Sequence, residues 1–261
     1  MRSSNPVLTR LTPETYPAQT SGYGTPYQPA PPPVSAVAEA DRMTIDDVVV
    51  KTVALLGLTA LSGLATAFLP LSPGALWGAI AIGAIVGLVL GLIVSFKRVT
   101  SPPLIVAYAI AEGVFVGGIS KIYNAAWDGI VVQAALATFG IFFVMAALYK
   151  TRIIRNSPRF TRIVMGALLG VLGLIVANLI FALFGVNLHL RDGSGLAIVF
   201  SLVVIVVAAL TFVLDFDMIE QAAAQGAPKQ TAWLCAFGLL VGLIWVYLEV
   251  LRLLSYLRGR N

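Results

Sequence analysis

Cysteine, histidine and acidic residues are all scarce in this chain. Its single cysteine, Cys235, excludes an intrachain disulfide and any cysteine-rich metal cluster. The single histidine, His189, leaves a zinc site of the usual kind short of the three or four ligands it needs. Charged residues are only 11% of the 261, against about 25% in soluble domains. Hydrophobic residues reach 59% and the mean hydropathy is +0.92, which together specify a polytopic membrane protein. The net charge of +5 does not mark a nucleic-acid binder, because the basic residues fall between apolar runs and not in an aromatic-interleaved patch. No short apolar core with a small-residue cleavage site opens the chain, so no cleavable signal peptide is expected and the first span itself must drive insertion.

Residues 1–46 hold most of the prolines, in runs such as YQPAPPPV, and too little apolar surface to build a core. A disordered or polyproline-II tail is expected there, on the cytoplasmic side, ahead of a transmembrane domain over 47–261. Apolar runs then recur at short intervals, each close to the roughly 20 residues that cross a ~30 Å hydrocarbon core. They fall at about 49–69, 75–96, 103–123, 130–149, 162–185, 194–214 and 232–256. Helices are required, because a lipid-exposed backbone must satisfy its own hydrogen bonds and the runs are too long for barrel strands. The expected fold is an all-α bundle of seven transmembrane helices.

Lysine and arginine in short loops set the orientation. Lys97 and Arg98 occupy the second loop, and KTRIIRNSPRFTR in the fourth carries Lys150, Arg152, Arg155, Arg159 and Arg162. The intervening loops are poor in base, which places the even loops and the N-terminus in the cytoplasm. Seven spans then put Arg258 and Arg260 outside, against the rule, unless the last helix crosses incompletely. Small residues at helical spacing, Gly83, Gly87 and Gly91 in the second span and Gly166, Gly170 and Gly173 in the fifth, predict close helix packing.

Ionisable groups inside the apolar runs cost at least ~2.5–3.5 kcal/mol to insert and are functional candidates by default. Glu112, in AYAIAEGVFVGGIS, lies near mid-bilayer with no opposite charge at i±3 or i±4. It must be protonated, face a wet cavity, or meet a base from another helix. Glu249 and Arg252 stand three apart in the last run and can pair on one helical face, with Arg252 snorkelling to headgroups. Asp215 ends the sixth run, and Asp217 and Glu220 follow it where a solvated helix end is expected. Acids there oppose the helix dipole, which favours a cationic partner such as Lys97 or Arg98 at the same face.

The order AEGVFVGGIS, LDFDMIE and LRLLSYL over residues 45–258 resembles the Bax inhibitor-1 family, the transmembrane BAX inhibitor motif proteins and their bacterial relatives. The opening MRSSNP and proline-rich tail are similar to its actinobacterial branch. The resemblance implies a bundle around a central last helix in a bacterial inner membrane and a pH-sensitive calcium leak. It implies neither enzyme activity nor a cofactor. It further implies a gate latched by two aspartates, one ending the sixth helix and one within the seventh. Asp215 matches the first, as pH sensor and candidate Ca²⁺ contact. The second falls at Gly242, where no carboxylate exists, leaving Glu249, or a base such as Arg98, as the substitute. A proton-coupled transporter would use the same residues. The competing expectation is a scaffold or regulator of membrane-protein turnover, partnered with a membrane protease. An intramembrane hydrolase would need Ser–His or paired aspartate motifs that the spans lack.

Overall fold

The computed structural model describes residues 41–98, 100–185 and 190–259; the expected tail, apart from its last residues, lies outside them. Seven helices follow one another: α1 Ile45–Phe68, α2 Pro73–Lys97, α3 Pro102–Ala126, α4 Ile130–Lys150, α5 Pro158–Leu183, α6 Gly195–Ala224 and α7 Thr231–Arg258. All seven are long and apolar enough to cross a membrane.

The helices start where the sequence supplies caps. Thr44 and Asp47 form a reciprocal capping box on α1, the Thr44 hydroxyl accepting from the Asp47 amide at 3.1 Å. Ser72, Ser157 and Ser194 cap α2, α5 and α6 in the same way, and Pro73 and Pro158 follow two of them in the first turn. The first helix therefore begins inside the segment expected to be tail, and Met43 is buried against the core. At the other extreme, α6 runs ten residues past the edge expected at 214. Nothing in FDMIEQAAA breaks a helix, and the chain turns only at Gly226, whose φ of 68° suits a residue without Cβ.

Helix α7 is the centre of the bundle, with Leu240, Val246 and Leu251 fully buried, and it packs against α1, α3, α4 and α6. Helix α2 packs on α3, and α5 on α6, at the periphery. Two sets of bonds define the ends. At one, the Met43 amide donates to Ala227 O at 2.8 Å, tying the start of α1 to the α6–α7 turn. The loops bearing Lys97, Arg98 and Lys150–Arg155 lie at this basic end, because successive spans alternate in direction. At the other, the Lys121 ammonium donates to Leu69 O at 2.6 Å, and Arg258 donates to Asp128 O and Gln133 Oε1, both at 2.8 Å. The last helix thus runs the full length of the bundle, and Arg258 is bonded into the α3–α4 turn at the end away from Met43.

The glycine expectation holds for one stripe and fails for the other. A Cβ added at Gly83 would stand 2.9 Å from Ala111 O, so α2 and α3 touch backbone to backbone there, and one at Gly87 would stand 2.6 Å from Glu112 Oε1, so that side chain lies against the α2 backbone. Between α1 and α3 the approach is closer still, a Cβ on Gly117 reaching 2.2 Å from Gly63 O. Gly166, Gly170 and Gly173, by contrast, have open space beside them in this chain. Helix α5 turns Val164 and Val171 inward instead, and its glycines take the opposite side.

Candidate functional site

The overrun of α6 decides what its three acids do. They are mid-helix residues, spaced so that at ~100° per residue Asp217 and Glu220 share one side and Asp215 points another way. Asp217 Oδ2 accepts from the Asn156 amide at 2.7 Å and from Gln221 Nε2 at 2.5 Å. Glu220 accepts from the Tyr149 hydroxyl and from Arg152 at 2.8 Å. Both carboxylates are partly accessible, as at a solvated helix end, but they also tie the α4–α5 connection to α6, and the helix does not end there. A recess of about 380 Å³ beside Asp217 is lined by Asn156, Thr161, Gln221 and Gln225 together with Leu214 and Met218.

Asp215 makes no hydrogen bond or ion pair among the described residues, and its carboxylate lies close enough to Cys235 of α7 to act on it electrostatically. Around it, Phe142 of α4 meets Phe212 and Phe216 of α6 edge-on at 5.3 and 5.5 Å between centroids, with Tyr149 5.8 Å from Phe216. An unpaired carboxylate thus sits beside an aromatic cluster at the basic end of the α6–α7 seam.

The partners expected for Asp215 are elsewhere. Lys97 and Arg98 are exposed at the end of α2, a helix that packs on α3 and not on α6, and neither enters an ion pair among the described residues. Gly242 lies against Phe212, whose ring would meet an added Cβ at 2.8 Å, so this position has no room for a carboxylate. Glu249 is only 2% exposed and accepts from Ser201 of α6 at 2.7 Å and from Arg252 at 2.5 Å. Ser201 precedes Asp215 by fourteen residues on one helix, which is about 21 Å at ~1.5 Å per residue. Asp215 and Glu249 therefore do not meet: toward one end of the seam Glu249 is bonded to Ser201 and Arg252, and toward the other stands the unpaired Asp215. Arg191, in the loop before α6, stands near the second of these. Burial, and then the charge of Arg252, hold its guanidinium below the ordinary value, while Glu249 acts the other way.

Glu112 lies on α3 beside Tyr108, its carboxylate laid over Gly87 of α2, and no cation pairs with it among the described residues. No group of three or more His, Cys, Asp or Glu side chains able to hold a metal ion occurs among the described residues. A cavity of about 320 Å³ between α1, α3, α4 and α7 is apolar, and its hydroxyls are already used, Ser120 with Tyr247 at 2.7 Å and Thr138 with Ala134 O. That lining offers a cation nothing.

A seven-helix membrane bundle with unpaired carboxyl groups in its spans is the class of protein that these observations define. The family model described as Bax inhibitor 1 like matches residues 5–259, and the chain belongs to that family. No curated protein matches it in sequence.

Proposed function

We propose that the chain is a pH-sensitive cation leak, with Ca²⁺ as the expected ion, gated by protonation of Asp215. It lies in the cell membrane of a bacterium with its basic end and N-terminus in the cytoplasm, in accord with the lysine and arginine bias of the loops. The observation that carries the reading is the placing of Asp215. It is the one acid of LDFDMIE without a hydrogen bond or ion pair among the described residues, and it stands at the seam of the central helix. A carboxyl group in such a seam is neutral or charged according to its access to water, so opening and protonation are linked. Hard oxygen ligands of this type suit Ca²⁺ in transit, and the reading needs neither a catalytic step nor a cofactor.

The test is ion flux into liposomes holding the purified full-length protein, measured against pH with Ca²⁺, K⁺ and Na⁺ compared. Asp215→Asn should flatten the pH response, because it removes the titrating charge at nearly constant shape, while Asp217→Asn should leave it. A full pH response in Asp215→Asn would refute the gate. A protein that passes none of the three cations would move the reading to a membrane scaffold, for which the unpacked glycine face of α5 is the supporting feature.

A further inference from the structure

Glu112 has no part in the gate just described, yet its position is unusual for a charged residue. On α3 the buried face carries Ile105, Tyr108, Ala109, Gly113, Gly117 and Ser120. Helical geometry puts Glu112 in the middle of that face, one turn on from Tyr108 and one turn before Val116. Tyr108, Ala109 and Gly113 on this face are buried, while Glu112 and Val116 remain partly exposed. The lipid-facing side of the same helix is marked by Ile110, which is 42% exposed. Partly accessible side chains on the side of α3 away from Ile110 leave room beside the carboxylate on the inner side of the helix.

Three helices frame that space. Tyr108 packs edge-on against Phe237 of α7 at 4.8 Å between centroids, and a Cβ at Gly91 of α2 would meet the Tyr108 ring at 3.3 Å. Helices α2 and α7 share no packed interface of their own, so α3 bridges them, with Glu112 set against Gly87 on the α2 side and Tyr108 against Phe237 on the α7 side. Toward the basic end the space is closed, since Val94 and Ile105 are fully buried. Charges around it are few. Tyr108 is the titratable side chain set against the carboxylate; Lys97 is ten residues from Gly87 along α2, about 15 Å away. On α7 the nearest titratable group toward the other end, Tyr247, is bonded to Ser120, and Glu249 is held by Arg252.

We propose that Glu112 is the mid-membrane cation-binding carboxylate of the pathway, placed in a crevice between α2, α3 and α7 and separate from Asp215. The proposal rests on the leak reading and adds to it the residue that selects cations. A single carboxylate with one neighbouring hydroxyl is too sparse a shell to retain Ca²⁺, so an ion there keeps most of its water and leaves readily, as conduction requires. Gly87 serves the same end, because the absence of a Cβ lets the carboxylate lie against the α2 backbone.

Cys235 is the only cysteine, so Cys235→Ser supplies a background for testing access independently of flux. In full-length protein reconstituted in liposomes, Glu112→Cys should react with a small, water-soluble, cationic thiol reagent, and Ile110→Cys should not. In flux assays Glu112→Gln should lower Ca²⁺ passage about tenfold, the effect of losing one charge-assisted contact, and leave the pH response in place. Glu112→Asp should recover part of the passage. Gly87→Ala keeps the charge but pushes the carboxylate aside, and should give an intermediate loss. Glu112→Cys as unreactive as Ile110→Cys, or Glu112→Gln conducting like the unsubstituted protein, overturns the proposal while leaving the Asp215 gate untouched. A reactive Glu112→Cys in a protein that passes no cation in any form overturns the leak itself, and the cation role with it.

Discussion

Replacing Glu249 with glutamine tests the separation of the Glu249 contact from Asp215 on the α6–α7 seam. The substitution keeps an acceptor for Ser201 but sets an amide against the Arg252 guanidinium, leaving a cation without its counter-charge. Breaking a buried pair in this way costs about 3–5 kcal/mol. The low end applies here, because the Arg252 side chain is 22% exposed against 2% for Glu249 and can turn part of its charge toward water. A loss of about 3 kcal/mol in a bundle of this size lowers the melting midpoint by about 6–12 °C. Thermal unfolding of the purified protein in detergent measures it, with Asp215→Asn as the comparison. Asp215 has no partner among the described residues to strand, so its midpoint should move by only a few degrees. The double variant Glu249→Gln with Arg252→Gln should regain part of the loss, since the stranded charge is gone. Glu249→Gln melting within about 2 °C of the unsubstituted protein would refute the reasoning. So would a Glu249→Gln flux profile shifted in pH like that of Asp215→Asn, because groups about 21 Å apart along the helix do not share a latch.

Gly117→Ala should destabilise by about 1–3 kcal/mol, because its Cβ would reach the backbone of Gly63 and not a movable side chain, whereas Gly170→Ala should stabilise by up to about 1 kcal/mol; a melt in which both are neutral would contradict the packing. A cysteine at the exposed Arg155, in the Cys235→Ser background, should be closed to an impermeant reagent added outside intact cells, and labelling there would reverse the topology. Arg155 serves better than Ser157, whose hydroxyl caps α5.

The number and place of the spans were legible because an unbroken apolar run of about 20 residues admits no other backbone in lipid. The end of α6 was misjudged because hydropathy reports where the membrane stops and not where the helix does; the stop signal was Gly226. Glycine periodicity identified two stripes but could not say which had a neighbour. That depends on the order of helices around α7, which puts α5 at the rim. The relation of Glu249 to Asp215 was open to better reading. In an antiparallel hairpin turning near residue 225, positions equally far from the turn face each other, which sets Glu249 opposite Ser201 and Asp215 opposite the region of Cys235. Matching by helical face alone ignored this depth. The roles of Asn156 and Tyr149 had no sequence signal, since both reach α6 only through the fold of the α4–α5 connection.

On the proposed leak reading, the arrangement at the basic end would couple the gate to that connection. Asp215 faces the seam, while Asp217 and Glu220 on another side of the same helix hold Asn156, Tyr149 and Arg152. In the proposed gate, a rotation of α6 that carried Asp215 toward water would move those two carboxylates off their partners, and opening would break or remake contacts with the loop. The contacts are individually soft. Arg152 and Glu220 are 55% and 41% exposed, where an ion pair contributes at most about 1 kcal/mol and is screened by salt. The aromatic cluster of Phe142, Phe212 and Phe216 supplies the stiffer part, because its rings span α4 and α6 and would have to slide as α6 turns. For the proposed gate, a seam closed by soft polar ties on one side and ring packing on the other is one that the protonation of a single carboxyl group, contributing a few kcal/mol, would be able to shift.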